Sequence, residues 1–64
     1  MAWASGSEIM SEIIDETKSA IPKEKARRAF YRQMIHVFEQ HDCDTLDDCR
    51  GKDPIFDEAL DDMR

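Results

Sequence analysis

Ala26-Arg27-Arg28-Ala29-Phe30-Tyr31-Arg32-Gln33-Met34-Ile35-His36-Val37-Phe38-Glu39-Gln40-His41 is the stretch on which the fold turns. At about 100° per residue, Ala26, Phe30, Tyr31, Met34, Ile35, Val37, Phe38 and His41 share one half of a helical wheel. Lys25, Arg28, Arg32, His36 and Glu39 occupy the other half. There is no period-2 alternation and no internal Gly or Pro, so the stretch reads as a helix that supplies the floor of a core.

Working outward, the segment from Glu8 to Ala20 is a second amphipathic helix. Ile9, Met10, Ile13, Ile14, Thr17 and Ala20 fall on one face, with Ser11, Glu12, Asp15, Glu16 and Lys18 on the other. Ser5 and Glu8 have capping-box spacing, and Ser7 is the alternative cap. Pro22 ends this helix and suits the first turn of the next, which should run from about Pro22 to Gln40 or His41. A connection this short returns the chain on itself, so the two helices should form an antiparallel hairpin.

After His41, Asp42-Cys43-Asp44 reads as a turn. Thr45-Leu46-Asp47-Asp48 has N-cap spacing for a single helical turn closed by Gly51. Asp53-Pro54 is a helix start, an Asp cap with Pro at the first position. The helix that follows, Pro54 to about Met63, gathers Ile55, Phe56, Ala59, Leu60 and Met63 in one arc and should pack across the hairpin. The fold class expected is therefore all-α: an antiparallel helical hairpin, a short turn helix and a short C-terminal helix in one domain. Trp3, in the arm before the first helix, should cover an end of the core with its indole N–H facing out.

Sixty-four residues lie near the lower limit for folding without staples. Such a chain buries only about 60% of its unfolded surface, which makes self-association an early expectation. Fifteen Asp and Glu against nine Lys and Arg make it acidic, and the imbalance is local. Residues 1–38 carry five acids and six bases, whereas 39–64 carry ten acids against Arg50, Lys52 and Arg64. An acidic half disfavours general binding to nucleic acid or anionic membranes. No apolar run approaches a signal sequence or a membrane span, so a cytoplasmic location and thiol cysteines are expected. The early cations of the second helix, Lys23, Lys25, Arg27 and Arg28, stand at the wrong end of the macrodipole. Carboxylates from the acidic half are the expected partners.

His36, His41, Cys43 and Cys49 are the only candidate metal set. They lack a knuckle spacing, and His36 lies about 140° from His41 on the wheel. The preferred reading makes both cysteines small apolar fillers beneath a turn. Asp42, Asp44, Asp48 and Asp53 match four positions of a calcium-loop count, but Leu46 and Asp47 stand where a ligand and a Gly are needed. N-capping and a solvated turn account for them. No nucleophile elbow, Gly-rich phosphate loop or Ser/Cys–His order is present, so neither an enzyme nor a cofactor is expected. The Lys23–Arg32 basic stripe is the one nucleic-acid-like feature, and its neighbours Phe30 and Tyr31 fall on the apolar arc.

Met1-Ala2-Trp3-Ala4-Ser5-Gly6-Ser7, the run His41-Asp42-Cys43-Asp44-Thr45-Leu46-Asp47-Asp48-Cys49, and Asp53-Pro54-Ile55-Phe56-Asp57 together resemble small phage- and prophage-encoded proteins of unknown function. That resemblance implies a viral origin, expression in a bacterial cytoplasm and, by analogy, action on a host protein; it implies no catalytic residue.

Three functional expectations follow. The first is a protein-interaction module whose acidic half meets a basic partner surface through Asp57, Asp61 and Asp62, with mimicry of DNA phosphates as its narrower form. The second is nucleic-acid binding through Lys23, Lys25, Arg27, Arg28 and Arg32. The third is a homodimer. The first helix should cover the Ala26–Phe30–Val37 side of the second and the last helix the Met34–Phe38 side, leaving Tyr31 and Ile35 as the seam.

Overall fold

A computed structural model describes residues 5–64. The expected role of Trp3 lies outside the described residues. Three α-helices form in chain order: α1 (Gly6–Ala20), α2 (Glu24–Gln40) and α3 (Pro54–Asp62), with one 3-10 turn (Leu46–Cys49) between α2 and α3. No strand is present among the described residues. The architecture is a small all-α bundle.

The helix boundaries follow from local chemistry, with some departures from expectation. α1 begins at Gly6, and Ser5 occupies the cap position without a side-chain hydrogen bond, so the capping box is not formed. Pro22 lies in the connection and Lys23 takes the N-cap of α2, one to two residues later than expected. Lys23 has the extended backbone of a capping residue, but its side chain carries no acceptor, and so α2 starts without a side-chain cap.

The end of α2 is better defined than its sequence suggests. Asp42 adopts φ 63°, a left-handed conformation that Asp tolerates better than most residues. Its N–H donates to the Glu39 carbonyl at 3.2 Å and the Cys43 N–H to the Phe38 carbonyl at 3.0 Å. This pair of bonds is a Schellman closure, with buried Phe38 and Cys43 as its apolar contact. Asp53 caps α3 as expected, its Oδ1 accepting from the Ile55 N–H at 3.0 Å with Pro54 at the first position.

Packing differs from the expected hairpin in one respect that matters. α2 makes its broadest contact with α3, α1 makes its own with the 3-10 turn, and α1 and α2 meet over a shorter stretch. Polar clasps hold α1 to the turn region. Lys52 Nζ donates to Ser11 Oγ at 2.7 Å and reaches Asp15 at 3.1 Å. Lys18 Nζ donates to the Lys52 carbonyl at 2.9 Å, and Cys49 Sγ lies 3.2 Å from the Ser7 carbonyl oxygen.

The core that results joins Met10 and Ile14 of α1, Tyr31, Ile35 and Phe38 of α2, Leu46 of the turn, and Phe56 and Leu60 of α3. Tyr31 and Ile35 have no exposed surface. The seam expected at these two residues is thus not at the surface of the single chain. α3 covers that arc of α2, with the Phe56 ring edge-on to Tyr31 at 5.4 Å and 83°. The Ala26–Phe30–Val37 side, expected to lie under α1, is the side left open. Ala26 is exposed, Val37 keeps 39% of its surface and Phe30 is half-buried.

Candidate functional site

The most deeply buried charged group among the described residues is the Asp53 carboxylate, 1% exposed. A buried carboxylate is tolerated only when its oxygens are satisfied. Oδ1 is held by the Ile55 N–H. Oδ2 accepts from the Tyr31 hydroxyl at 2.7 Å, and Arg27 Nε stands 3.0 Å from the same oxygen as an ion-pair partner. The Tyr31 hydroxyl also lies 3.5 Å from the Ile14 carbonyl oxygen, and Arg27 Nη1 donates to the Ile21 carbonyl at 3.2 Å. One carboxylate therefore joins the start of α3 to α2, and through Tyr31 and Arg27 to α1.

These contacts set the protonation states. Burial pushes the Asp53 carboxyl upward, but the Tyr31 hydroxyl, the Ile55 N–H and the charges of Arg27 and Lys18 outweigh it and hold the group below its ordinary value. The Tyr31 phenol is raised well above its usual value, first by burial and then by the hydrogen bond to Asp53 and the charge of that carboxylate. An anionic Asp53 hydrogen-bonded by a neutral Tyr31 is the stable pairing. It is a structural lock, with the Asp53 carboxylate and the Tyr31 phenol both turned inward.

The remaining sequence candidates separate into engaged and outward-facing groups. Asp57 is half-buried and its oxygens accept from the Gly51 N–H at 3.3 Å. Asp61 pairs with Arg50 at 2.7 Å, and Arg50 also approaches Asp47 at 3.5 Å. Asp62 is exposed. On α2, Arg27 is held by Asp53 and Arg28 by Glu58, so carboxylates of the C-terminal half do offset the cations at this helix start. Lys23, Lys25 and Arg32 are exposed. The Lys23–Arg32 stripe is thus divided between Arg27 and Arg28, which are ion-paired, and the exposed Lys23, Lys25 and Arg32.

Cys43 and Cys49 are both free thiols and both buried. Burial raises the Cys49 thiol, with Asp48 adding to the effect. Among the described residues no three His, Cys, Asp or Glu side chains converge as a metal site.

Two surface features were not singled out in the sequence. A cleft of about 410 Å³ opens where α1 meets the 3-10 turn, lined by Ser7, Glu8, Ser11, Glu12, Asp48 and Cys49. An open apolar groove of about 560 Å³ lies between α1 and α2, with Ile9, Ile13, Ile21 and Phe30 in its walls and Glu12 and Glu16 on its α1 edge. The apolar periodicity of α1 carries the signal for the groove. What it lacks is the fact that α2 turns away toward α3, leaving Ile9 39% exposed.

The fold and these surfaces describe a small helical bundle with a locked interior. Comparison with protein-family models, with curated proteins and with solved structures gives no match to this chain. No helix among the described residues is long and apolar enough to cross a membrane.

Proposed function

We propose that the protein is a non-catalytic protein-interaction module whose acidic edge receives a basic surface of a partner protein. The observation that carries this reading is the α1–turn cleft. Glu8, Glu12 and Asp48 converge on it from two elements, and no Lys or Arg is among its lining residues. Lys52 is engaged with Ser11, one of the lining residues, and with Asp15. Asp57, Asp61 and Asp62, the acids first expected to meet a partner, are divided: the first two are engaged by the Gly51 N–H and by Arg50, the third is exposed, and the proposal rests on the cleft instead. Complementary charge of this kind steers encounter and selects partners more than it adds affinity. The resemblance to phage- and prophage-encoded proteins supports a bacterial host protein as the partner, in the host cytoplasm.

The test is capture from bacterial lysate on immobilised protein at low and at physiological salt. Glu8→Lys combined with Asp48→Lys should abolish the captured set. Asp61→Ala combined with Asp62→Ala should leave it intact. Identical capture by wild type and the Glu8/Asp48 double variant contradicts the proposal. The nucleic-acid reading, left with Lys23, Lys25 and Arg32, is tested by a gel shift at low salt with the same preparations.

A further inference from the structure

We infer that the apolar α1–α2 groove seats a basic amphipathic helix of a partner protein, in continuity with the acidic cleft. The inference rests on the proposed function in taking the partner to be a protein with a basic surface.

The lining of the groove sets what its occupant must carry. Ile9, Ile13 and Ala20 of α1 supply one apolar wall, and Ile21 and Phe30 supply the rest. Ile9 keeps 39% of its surface, and Ile13, Ile21 and Phe30 are half-buried. Ile9 to Ala20 spans about 17 Å at 1.5 Å per residue, about three turns of a second helix.

An extended segment finds no backbone partner here. Thr17, the one uncharged polar side chain in the lining, donates its hydroxyl to the Ile13 carbonyl at 2.6 Å. No strand among the described residues offers an edge to pair with. A helix satisfies its own N–H and C=O groups, and its side chains at steps of three and four fit the same steps on α1.

Charge fixes the sign of the occupant. Glu12 and Glu16 line the groove, and no Lys or Arg does. Glu8 stands one turn before Glu12, so three exposed carboxylates form a ridge at i, i+4 and i+8. Like charges at that spacing destabilise a helix. Among the described residues no ion pair engages any of the three, whereas neighbouring Asp15 is held by Lys52. The ridge stands between the groove and the cleft, and Glu12 lines both. A helix with an apolar stripe in the groove and Lys or Arg along one flank meets the whole ridge at once. The same carboxylates repel an anionic bilayer.

The probe is a synthetic helix of Leu and Lys, about 18 residues long, with the two residue types segregated on opposite faces. Its binding is measured by titration calorimetry at low salt. The controls are a peptide of the same composition with the segregation scrambled, and a segregated peptide of Leu and Glu. Wild type should bind the segregated Leu and Lys peptide about tenfold or more tighter than either control. Ile9→Gln and Ala20→Arg, both at exposed positions, should each weaken that binding about tenfold with far-UV circular dichroism unchanged. Glu12→Gln combined with Glu16→Gln should weaken it by a margin that shrinks at high salt, while α1 becomes no less stable. Equal binding of segregated and scrambled peptides, or binding indifferent to Ile9→Gln, overturns the inference. So does a wild type that binds no peptide, whether a second copy, a lipid surface or nothing occupies the groove. The cleft is read separately, because Glu8→Lys with Asp48→Lys leaves the apolar walls in place. Lysate capture lost in that variant but untouched by Ile9→Gln upholds the cleft and overturns the groove. Peptide binding that requires Ile9, beside capture indifferent to the Glu8/Asp48 variant, upholds the groove and overturns the cleft.

Discussion

Tyr31→Phe isolates one atom of the interior lock. The Phe ring keeps the edge-on packing against Phe56, so apolar burial is nearly unchanged. What is removed is the 2.7 Å donation to Asp53 Oδ2, a bond to a charged acceptor in a site 1% exposed. Hydrogen bonds to charged groups contribute about 1.5–3 kcal/mol, and an under-satisfied buried carboxylate stands toward the upper end. Arg27 remains 3.0 Å away and moderates the loss, so about 2 kcal/mol is expected. Total stability for a domain of this size is only about 5 kcal/mol. The substitution should therefore lower Tm by about 8–15 °C and shift the urea midpoint with the slope unchanged. Urea unfolding followed by far-UV circular dichroism measures it. Asp53→Asn and the double variant complete a cycle whose coupling energy should exceed about 1 kcal/mol. A loss under about 0.5 kcal/mol on Tyr31→Phe, or additive single effects, would refute the claim that these groups act as a unit.

Acid should weaken the same lock. The native Asp53 pKa lies below that of the unfolded chain, about 3.9, so the unfolded state binds the proton first as pH falls. Its stabilisation is fully present above about pH 4 and is lost as pH drops through the native value; Asp53→Asn should flatten that part of the stability profile measured by urea titration. Gly51 has φ 93° with nothing within 4 Å of an added Cβ, so Gly51→Ala meets backbone strain alone and should cost about 1 kcal/mol in the same denaturation assay. Cys43 and Cys49 are buried, and burial raises the Cys49 thiol, so thiol labelling should proceed only through opening of the fold and accelerate with urea. Prompt labelling of both thiols in native buffer would contradict their placement.

The parts of the fold legible in the sequence are those governed by neighbours along the chain. The Asp53-Pro54 start of α3 and the termination before Pro22 follow from local rules and the structure bears both out, whereas of the expected apolar face of α1 it buries Met10, Ile14 and Thr17 and leaves Ile9 and Ala20 exposed. The exit of α2 follows a local rule too, but its left-handed residue is Asp42 instead of Gly, so only a turn was readable. The apolar arc of α2 was visible in full, yet it spans half the helix while the fold covers only part of it. Whether Tyr31 and Ile35 or Phe30 and Val37 are covered depends on where α3 lands, and that is a long-range outcome. Asp53 shows the same division. Its role as a cap was legible from Pro54, but its second oxygen is satisfied by Tyr31, more than twenty residues away. The acidic half read as a charged face because ion pairs such as Arg50–Asp61 and Arg28–Glu58 are invisible until the elements pack.

Ionisation of Tyr31 reports on the interior directly, because it is the only tyrosine in the chain. Its native pKa is raised, so the native state holds the proton that the unfolded state releases near pH 10. The stabilisation is fully present below that pH and declines as pH rises through the interval above it. Absorbance near 295 nm, followed with helicity during an alkaline titration, separates ionisation in the folded state from ionisation on unfolding. The lock predicts no phenolate signal at pH 10 while the helices persist, with phenolate and loss of helicity then appearing together. A full phenolate signal centred near pH 10 in a chain that keeps its helicity would contradict it.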